Sequence, residues 1–365
     1  MKFVWLVEGA FYPSGAYHQQ VYLLSDYLHN FGIESAVANP SSLQEQSGEV
    51  LEKLRAYEPD VIVTFGDVHP FGLAEQLDTP LLSWFIWGHH ESAAMTVPDG
   101  LPPCVTFAAA SDFAMRALQE LDIPSLYVPH AYDLNIFHPG RRASARGRLG
   151  WDFTEPVVAM VSVNYAANAL ETEMRGFELP DRKNWQGALE AFAGLLELRP
   201  ETRLYAHTNA TGACDIMDEA DRLRIIDQVT LADQTHFHHG TWDYPQSYLA
   251  DVYRASNVLL YPSLAEGFGV PLIEAQACGI PVVTTNSGPM TELARTGTAV
   301  VSAPDPVLSS WRRPDTGALT TSLDFWLGST VDPNRTHLDV AQFAVEAVVE
   351  DCFIPALEAA AGNRP

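Results

Sequence analysis

Residues 258–283 read VLLYPSLAEGFGVPLIEAQACGIPVV. The stretch opens with a short apolar run, Val258 to Tyr261, that Pro262 and Ser263 bring to an end, which is how a buried strand reads. Gly267 and Gly269 follow, and then Pro271, a residue favoured at the start of a helix. The helix expected over Leu272–Cys278 stops at Gly279, and a second apolar run, Pro281–Thr285, begins at once. Strand, glycine turn, helix, strand is one unit of a parallel α/β sheet.

The same alternation extends outward in both directions. Upstream, strands are expected at Val157–Val163 and Arg203–His207, with helices over Trp185–Leu198 and Tyr248–Ala255. The first part of the chain repeats the pattern. Strands are expected at Phe3–Val7, Val61–Phe65, Leu81–Ile86 and Leu126–Val128, and a helix from about Gln19 to Phe31 that Gly32 stops. Pro139-Gly140-Arg141-Arg142 opens a polar stretch, up to Gly150, that reads as a linker. Two Rossmann-like domains follow from this, over 1–140 and 151–339, facing each other across a cleft, the usual ligand site of open α/β sheets. A last helical pattern covers Val340–Ala361.

A chain of 365 residues suits two domains. The formal charge of −25 repels the phosphate backbone of nucleic acid and anionic lipid surfaces. A run of arginines, Arg141, Arg142, Arg146 and Arg148, keeps a local nucleic-acid reading open. No apolar run is long enough to span a bilayer, and the run at Phe3–Val7 is too short for a signal-peptide core, so a cytoplasmic protein is expected. Cys104, Cys214, Cys278 and Cys352 are widely spaced, as buried small hydrophobes rather than metal ligands or disulfide partners.

The chemistry concentrates in the quoted stretch. Gly267 and Gly269 let backbone approach a ligand, and the loop and helix N-terminus offer N–H groups suited to phosphate oxygens. Glu266 and Glu274 can accept hydrogen bonds from hydroxyls. A ligand with both phosphates and sugar hydroxyls, such as a nucleotide-sugar, fits. The plainer reading is a surface carboxylate and a helix-dipole carboxylate flanking an ordinary turn. A second cluster, Arg182-Lys183-Asn184, holds the lone lysine beyond Lys53. Positioned cations there would stabilise a departing diphosphate.

The paired glutamates with seven residues between them, in the setting of Pro262, Ser263, Gly267, Phe268, Gly269, Pro271, Ala275, Ala277, Cys278, Gly279 and Pro281, resemble the donor-site signature of retaining glycosyltransferase family 4. The resemblance implies the GT-B fold and a sugar transfer from a UDP- or GDP-sugar with retention, without a metal or other cofactor. It implies that Glu266 meets hydroxyls of the transferred sugar and Glu274 the ribose, with the amides of Gly267, Phe268, Gly269 and Val270 near sugar and diphosphate. Arg182 and Lys183 correspond to the family's phosphate-binding cations, although Asp181 stands before Arg182. Pro129-His130-Ala131-Tyr132-Asp133 and Phe137-His138-Pro139 resemble the family's motif at the end of the first domain, with Ala131 and Tyr132 departing from it. Gly15 resembles the first of two turn glycines near the diphosphate, the second being Ala16 here. Thr208, Asn209 and 237–240 follow donor-domain strands and are candidates to line the base pocket. Asp67, His69, Trp87, His89, His90 and Glu91 are candidates for the acceptor side. By analogy with the family, the helix over 340–361 packs back on the first domain.

The expected partners are a nucleotide-sugar donor and an acceptor that is a glycan, a lipid-linked sugar, a protein or a small molecule. The sequence contains no Asp-x-Asp, no Walker-type phosphate loop and no G-x-G-x-x-G. A sugar-nucleotide epimerase or phosphorylase on the same fold, and a non-catalytic nucleotide-sugar binding module, are the alternatives.

Overall fold

The computed structural model describes residues 1–7, 16–38, 47–66, 71–85, 102–152, 154–164, 181–238, 241–242 and 244–363. The chain divides into two units, one of Met1–Asp133 with Gln342–Pro365, the other of Leu134–Ala341. Each is built on a parallel sheet.

In the first unit, strands β1 (Lys2–Val7), β2 (Glu34–Ala38), β3 (Val61–Gly66), β4 (Leu81–Phe85), β5 (Val105–Ala109) and β6 (Ser125–Tyr127) lie in the order β2-β1-β3-β4-β5-β6, all parallel. Beyond Lys2, the β1, β3 and β4 runs are buried on both faces, and their side chains are apolar apart from Thr64 and Ser83, which bond each other at 3.4 Å. Trp5, Phe65 and Trp84 form an aromatic layer on one face, with their ring centroids 4.4–6.3 Å apart. The indoles are satisfied: Trp5 donates to the Ser25 hydroxyl at 2.8 Å and Trp84 to the Val128 carbonyl at 2.7 Å. Gln342–Pro365 completes this core. Phe353 stacks on Trp5 with centroids 5.2 Å apart. The pattern expected as one helix over 340–361 is instead a short 3₁₀ turn at Ala341–Phe343 followed by helix Val345–Val348, a widened π-type turn at Val349–Phe353 and helix Ile354–Gly362. Pro355 supplies the reason, because it has no N–H to give the carbonyl four residues back.

In the second unit, β7 (Val157–Val161), β8 (Arg203–His207), β9 (Val229–Leu231), β12 (Val258–Tyr261), β13 (Val282–Thr285) and β14 (Gly297–Val300) form a parallel sheet in the order β14-β13-β12-β7-β8-β9. A two-stranded ribbon, β10 (Phe237–His238) and β11 (Thr241–Trp242), stands apart. Val158, Met160, Leu204 and Leu260 pack on Trp185, Leu189 and Phe192 of helix Trp185–Leu198. Counted within the unit, this is the dinucleotide-binding order 3-2-1-4-5-6, and the winding reverses between β7 and β12. Ligands of such sheets bind outside the strand carboxyl ends at that reversal.

The polar stretch read as a linker is corrected by the structure. Residues 142–149 form helix Arg142–Leu149, which belongs to the second unit and packs on helix Gln246–Ala255. Arg146 donates to the Ala255 and Glu155 carbonyls, Arg142 to the Ser256 carbonyl, and Arg148 makes two bonds of 2.6 Å to Asp251. Guanidinium groups at the end of a helix satisfy carbonyls that have no intrahelical partner. Arg146 is thus buried in the fold, whereas Arg142 and Arg148, though tied to the end of helix Gln246–Ala255 and to Asp251, stay exposed, as does Arg141. Among the described residues, no helix is long and apolar enough to cross a membrane.

Candidate active site

The loop leaving β12 and the turn entering helix Trp185–Leu198 flank the reversal of the sheet, and they touch. The Leu264 amide donates to the Arg182 carbonyl at 2.8 Å, and Asn184 Nδ2 to the Pro262 carbonyl at 3.2 Å. Asn184 sits in the left-handed region, φ 56°, a conformation asparagine tolerates better than most residues. It faces Gly187 so closely that a Cβ there would lie 2.5 Å from Asn184 Oδ1. Asp181, the departure from the family pattern, accepts from the amides of Lys183, at 3.0 Å, and of Trp185. It thus supplies the side-chain cap that Asn184 does not.

This turn delivers two cations to one carboxylate. Arg182 Nη1 donates to Glu266 Oε2 at 3.0 Å and to the Ala265 carbonyl at 2.9 Å. Lys183 Nζ donates to Glu266 Oε1 at 2.5 Å, and the Tyr261 hydroxyl donates to the same oxygen at 2.9 Å. Glu266 is buried, and burial alone would raise its pKa; Lys183 and then Arg182 overcome this and hold the carboxyl well below the usual range. Burial, with the neighbouring Arg182 second, pushes the Lys183 ammonium down to about 8 against the pull of Glu266. Arg182, Lys183 and Tyr261 thus bond this one carboxylate, and the Ser263 side chain also helps to hold its pKa down.

Glu274 does not join this cluster through any bond. It lies in helix Val270–Ala277, buried, and accepts from the Tyr253 hydroxyl at 3.0 Å. Burial pushes its carboxyl up to about 7 although the tyrosine bond works in the other direction. Gly269 begins the helix at φ +113°, where a side chain would be strained, and Val270 and Pro271 form its first turn. Gly267 and Phe268 complete the loop between β12 and this helix, Phe268 being buried.

Thr208 and Asn209 follow β8, and Asn209 is committed to the neighbouring loop. Its Nδ2 donates to the Asn164 carbonyl at 2.9 Å and its Oδ1 accepts from the Asn164 amide at 3.2 Å. Thr208 is buried beside it. His130 is buried edge-on against Phe65 and Trp84, and burial pushes its ring down to about 3, so it is neutral in the core of the first unit. Phe137 packs on Tyr253, and Arg254 holds the His138 carbonyl at 2.8 Å, which assigns that motif to anchoring within the second unit. Gly15, Asp67, His69, Trp87, His89, His90 and Glu91 lie outside the described residues. Among the described residues there is no group of three or more His, Cys, Asp or Glu side chains arranged to hold a metal ion. A cavity of about 360 Å³ beside the turn is lined by Asp181, Asp215, Asp218, Glu219 and Arg222, a mostly acidic wall that repels phosphate.

Sequence reading missed Tyr261, Tyr253 and Asp181. Tyr261 counted there only as the last apolar residue of a strand. The signal that could have found it is a hydroxyl-bearing residue at the strand end, directly before Pro262.

Residues 178–307 match the family described as Glycosyl transferases group 1. This segment is a group 1 glycosyltransferase domain. It contains Arg182, Lys183, Glu266 and Glu274. The chain is 35% identical over 175 residues to a D-inositol 3-phosphate glycosyltransferase of Segniliparus rotundus, covering 47% of this chain and 32% of that one. A protein of the same name from Rhodococcus jostii is 33% identical over 168 residues, covering 45% and 33%. The chain thus spans about a third of the length of these curated relatives. Two solved structures share the fold along nearly the whole chain. A glycosyltransferase from Rickettsia africae has a TM-score of 0.72 at 14% identity, covering 98% of each chain. Anabaena HepE, solved with UDP and glucose, has a TM-score of 0.71 at 15% identity, covering 98% of this chain and all of that one, 100%. Around the group 1 domain, then, the chain has the two parallel-sheet α/β domains of GT-B glycosyltransferases.

Proposed function

We propose that the protein is a retaining, metal-independent glycosyltransferase that moves a hexose-type sugar from a UDP- or GDP-sugar to an acceptor. The observation that carries this reading is the convergence of Arg182, Lys183 and Glu266 at the reversal between β7 and β12. Two cations gathered on one buried carboxylate suit a diphosphate joined to a sugar. The leaving diphosphate gains negative charge as the glycosidic bond breaks, and cations already in place stabilise it without reorganising. Glu266 would orient the transferred sugar, and Glu274 the ribose, with the backbone of Gly267, Phe268, Gly269 and Val270 lining sugar and diphosphate. Gly15 belongs to the same diphosphate site in this reading, Thr208 and Asn209 to the base side, and Asp67, Trp87, His89 and His90 to the acceptor side. In a same-face transfer the donor's own phosphate takes the acceptor proton, so positioning is the main demand on the protein.

The test is a panel of UDP- and GDP-sugars assayed for nucleoside diphosphate release with candidate acceptors, D-inositol 3-phosphate first because two relatives carry that name. The anomeric configuration of the product by NMR tests retention, and unchanged turnover in chelator tests metal independence. Consumption of donor into another sugar-nucleotide without acceptor would mark an epimerase instead. Binding of donor without turnover under any acceptor would mark a binding module.

A further inference from the structure

Lys183 stands where an ammonium group is hard to keep charged. Only 12% of its side chain reaches solvent, and Arg182 adds a second positive charge beside it. Tyr261 faces it from the end of β12, with the hydroxyl 3.4 Å from Nζ and the ring centroid at 5.5 Å. Asp181 contributes a more remote carboxylate from the same turn. Among the described residues, Glu266 is the carboxylate that bonds Nζ directly. The Tyr261 hydroxyl donates to that same carboxylate oxygen, so the three groups close a triangle.

We propose that Glu266 is the counter-ion that keeps Lys183 positively charged for the diphosphate, and that Tyr261 is the positioning residue that holds the two together. This rests on the reading that Lys183 meets a nucleoside diphosphate. Charge balance supports it. A buried cation beside a second cation loses its proton unless an anion touches it. Even with Glu266 in place, Lys183 is pushed down to about 8, close enough to neutrality that losing the carboxylate would discharge it at neutral pH. The role differs in kind from contact with the transferred sugar. A free nucleoside diphosphate carries no transferred sugar, so a glutamate acting on that sugar alone would leave its binding untouched.

The experiment is calorimetric titration of the full chain with UDP and with GDP from about pH 6 to about pH 9. The acid side of the profile belongs to the terminal phosphate, with a pKa of about 6, and to Glu274, and is common to all variants. The unsubstituted protein should lose affinity as Lys183 deprotonates above about pH 8. Glu266→Gln should bind about tenfold more weakly at pH 7, with its alkaline limb displaced downward by a pH unit or more. Glu266→Asp, which keeps the charge, should move the limb back toward its original place. Tyr261→Phe should displace the limb in the same direction as Glu266→Gln but by less, roughly threefold in affinity at pH 8. Lys183→Met should bind weakly with no alkaline limb. Circular dichroism and the Tyr261→Phe arm guard against a folding defect in Glu266→Gln. Diphosphate binding by Glu266→Gln with the original affinity and limb overturns the inference alone. If neither nucleotide binds the unsubstituted protein, the glycosyltransferase reading and this inference fall together.

Discussion

At the scale of single residues, the two glutamates of the motif behave in opposite ways. Glu266 is held ionised by its cations, whereas Glu274 is buried without one and carries a pKa of about 7. The sign of the second effect is definite. In the unfolded chain Glu274 titrates near 4.5, so between about 4.5 and 7 the folded protein binds more protons. Stability is therefore unpenalised below 4.5, falls as pH rises through that window, and carries the full penalty, up to about 3 kcal/mol, above 7. Glu274→Gln removes the titration and leaves an acceptor for Tyr253. Its melting temperature should match that of the unsubstituted protein near pH 4.5 and exceed it at pH 8, while donor binding weakens. Scanning calorimetry at the two pH values decides the matter, and a constant difference would assign the penalty elsewhere. Lys183→Ala and Glu266→Ala should each lower turnover roughly 10²-fold, as loss of one charge-stabilising group does. Turnover unchanged in both would remove their assigned roles.

At the scale of elements, what sequence made legible was the buried interior. β7 and β12 are continuous apolar runs because both faces are covered, β3, β4 and β13 are buried runs interrupted only by Thr64, Ser83 and the pair Thr284–Thr285, and helix Trp185–Leu198 has the limits that its pattern implies. The missed strands β2, β9 and β14 form sheet edges or neighbour them, are only partly buried, and have no such run to show. β5 is diluted by Thr106 and alanines. Helix Arg142–Leu149 escaped because its apolar face is nearly absent; its arginines do the packing. The site divided similarly. Arg182, Lys183 and Glu266 are visible as a motif, but the support beneath them is tertiary. Gly187 is the clearest case, since its missing side chain makes the space that Asn184 occupies. Gly187→Ala should push the Asn184 amide off the Pro262 carbonyl and shift the Arg182–Lys183 turn. The expected outcome is a loss of turnover of tenfold or more with a melting temperature lowered by only a few degrees, since alanine favours the helix itself. A large stability loss with normal specific activity would show that the turn does not depend on this contact.

At the scale of the whole molecule, the chain leaves its first unit at Asp133 and returns to it at Gln342. Nothing in the composition of the last residues announces this return; family resemblance suggested it. Its anchorage is local and strong. The Tyr132 amide donates to the Phe343 carbonyl at 2.9 Å, the Val345 amide to the Tyr132 carbonyl at 3.0 Å, and the Tyr27 hydroxyl to Glu350 at 2.9 Å. Phe353 is fully buried, stacked on Trp5 and within 6.1 Å of the Phe3 and Trp84 ring centroids. Because it fills a layer shared by β1 and β4, its truncation leaves a cavity lined by large rings that cannot collapse onto it. Phe353→Ala should therefore destabilise the first unit by about 3–5 kcal/mol. The second unit has its own core around Trp185, Leu189 and Phe192, with no residue of 342–363 in it. Hydrogen exchange should then show β1, β3 and β4 losing protection while β7, β8 and β12 keep theirs. Equal loss in both sheets would mean that the units unfold as one cooperative body, and that the terminal segment stabilises the entire chain rather than the unit it completes.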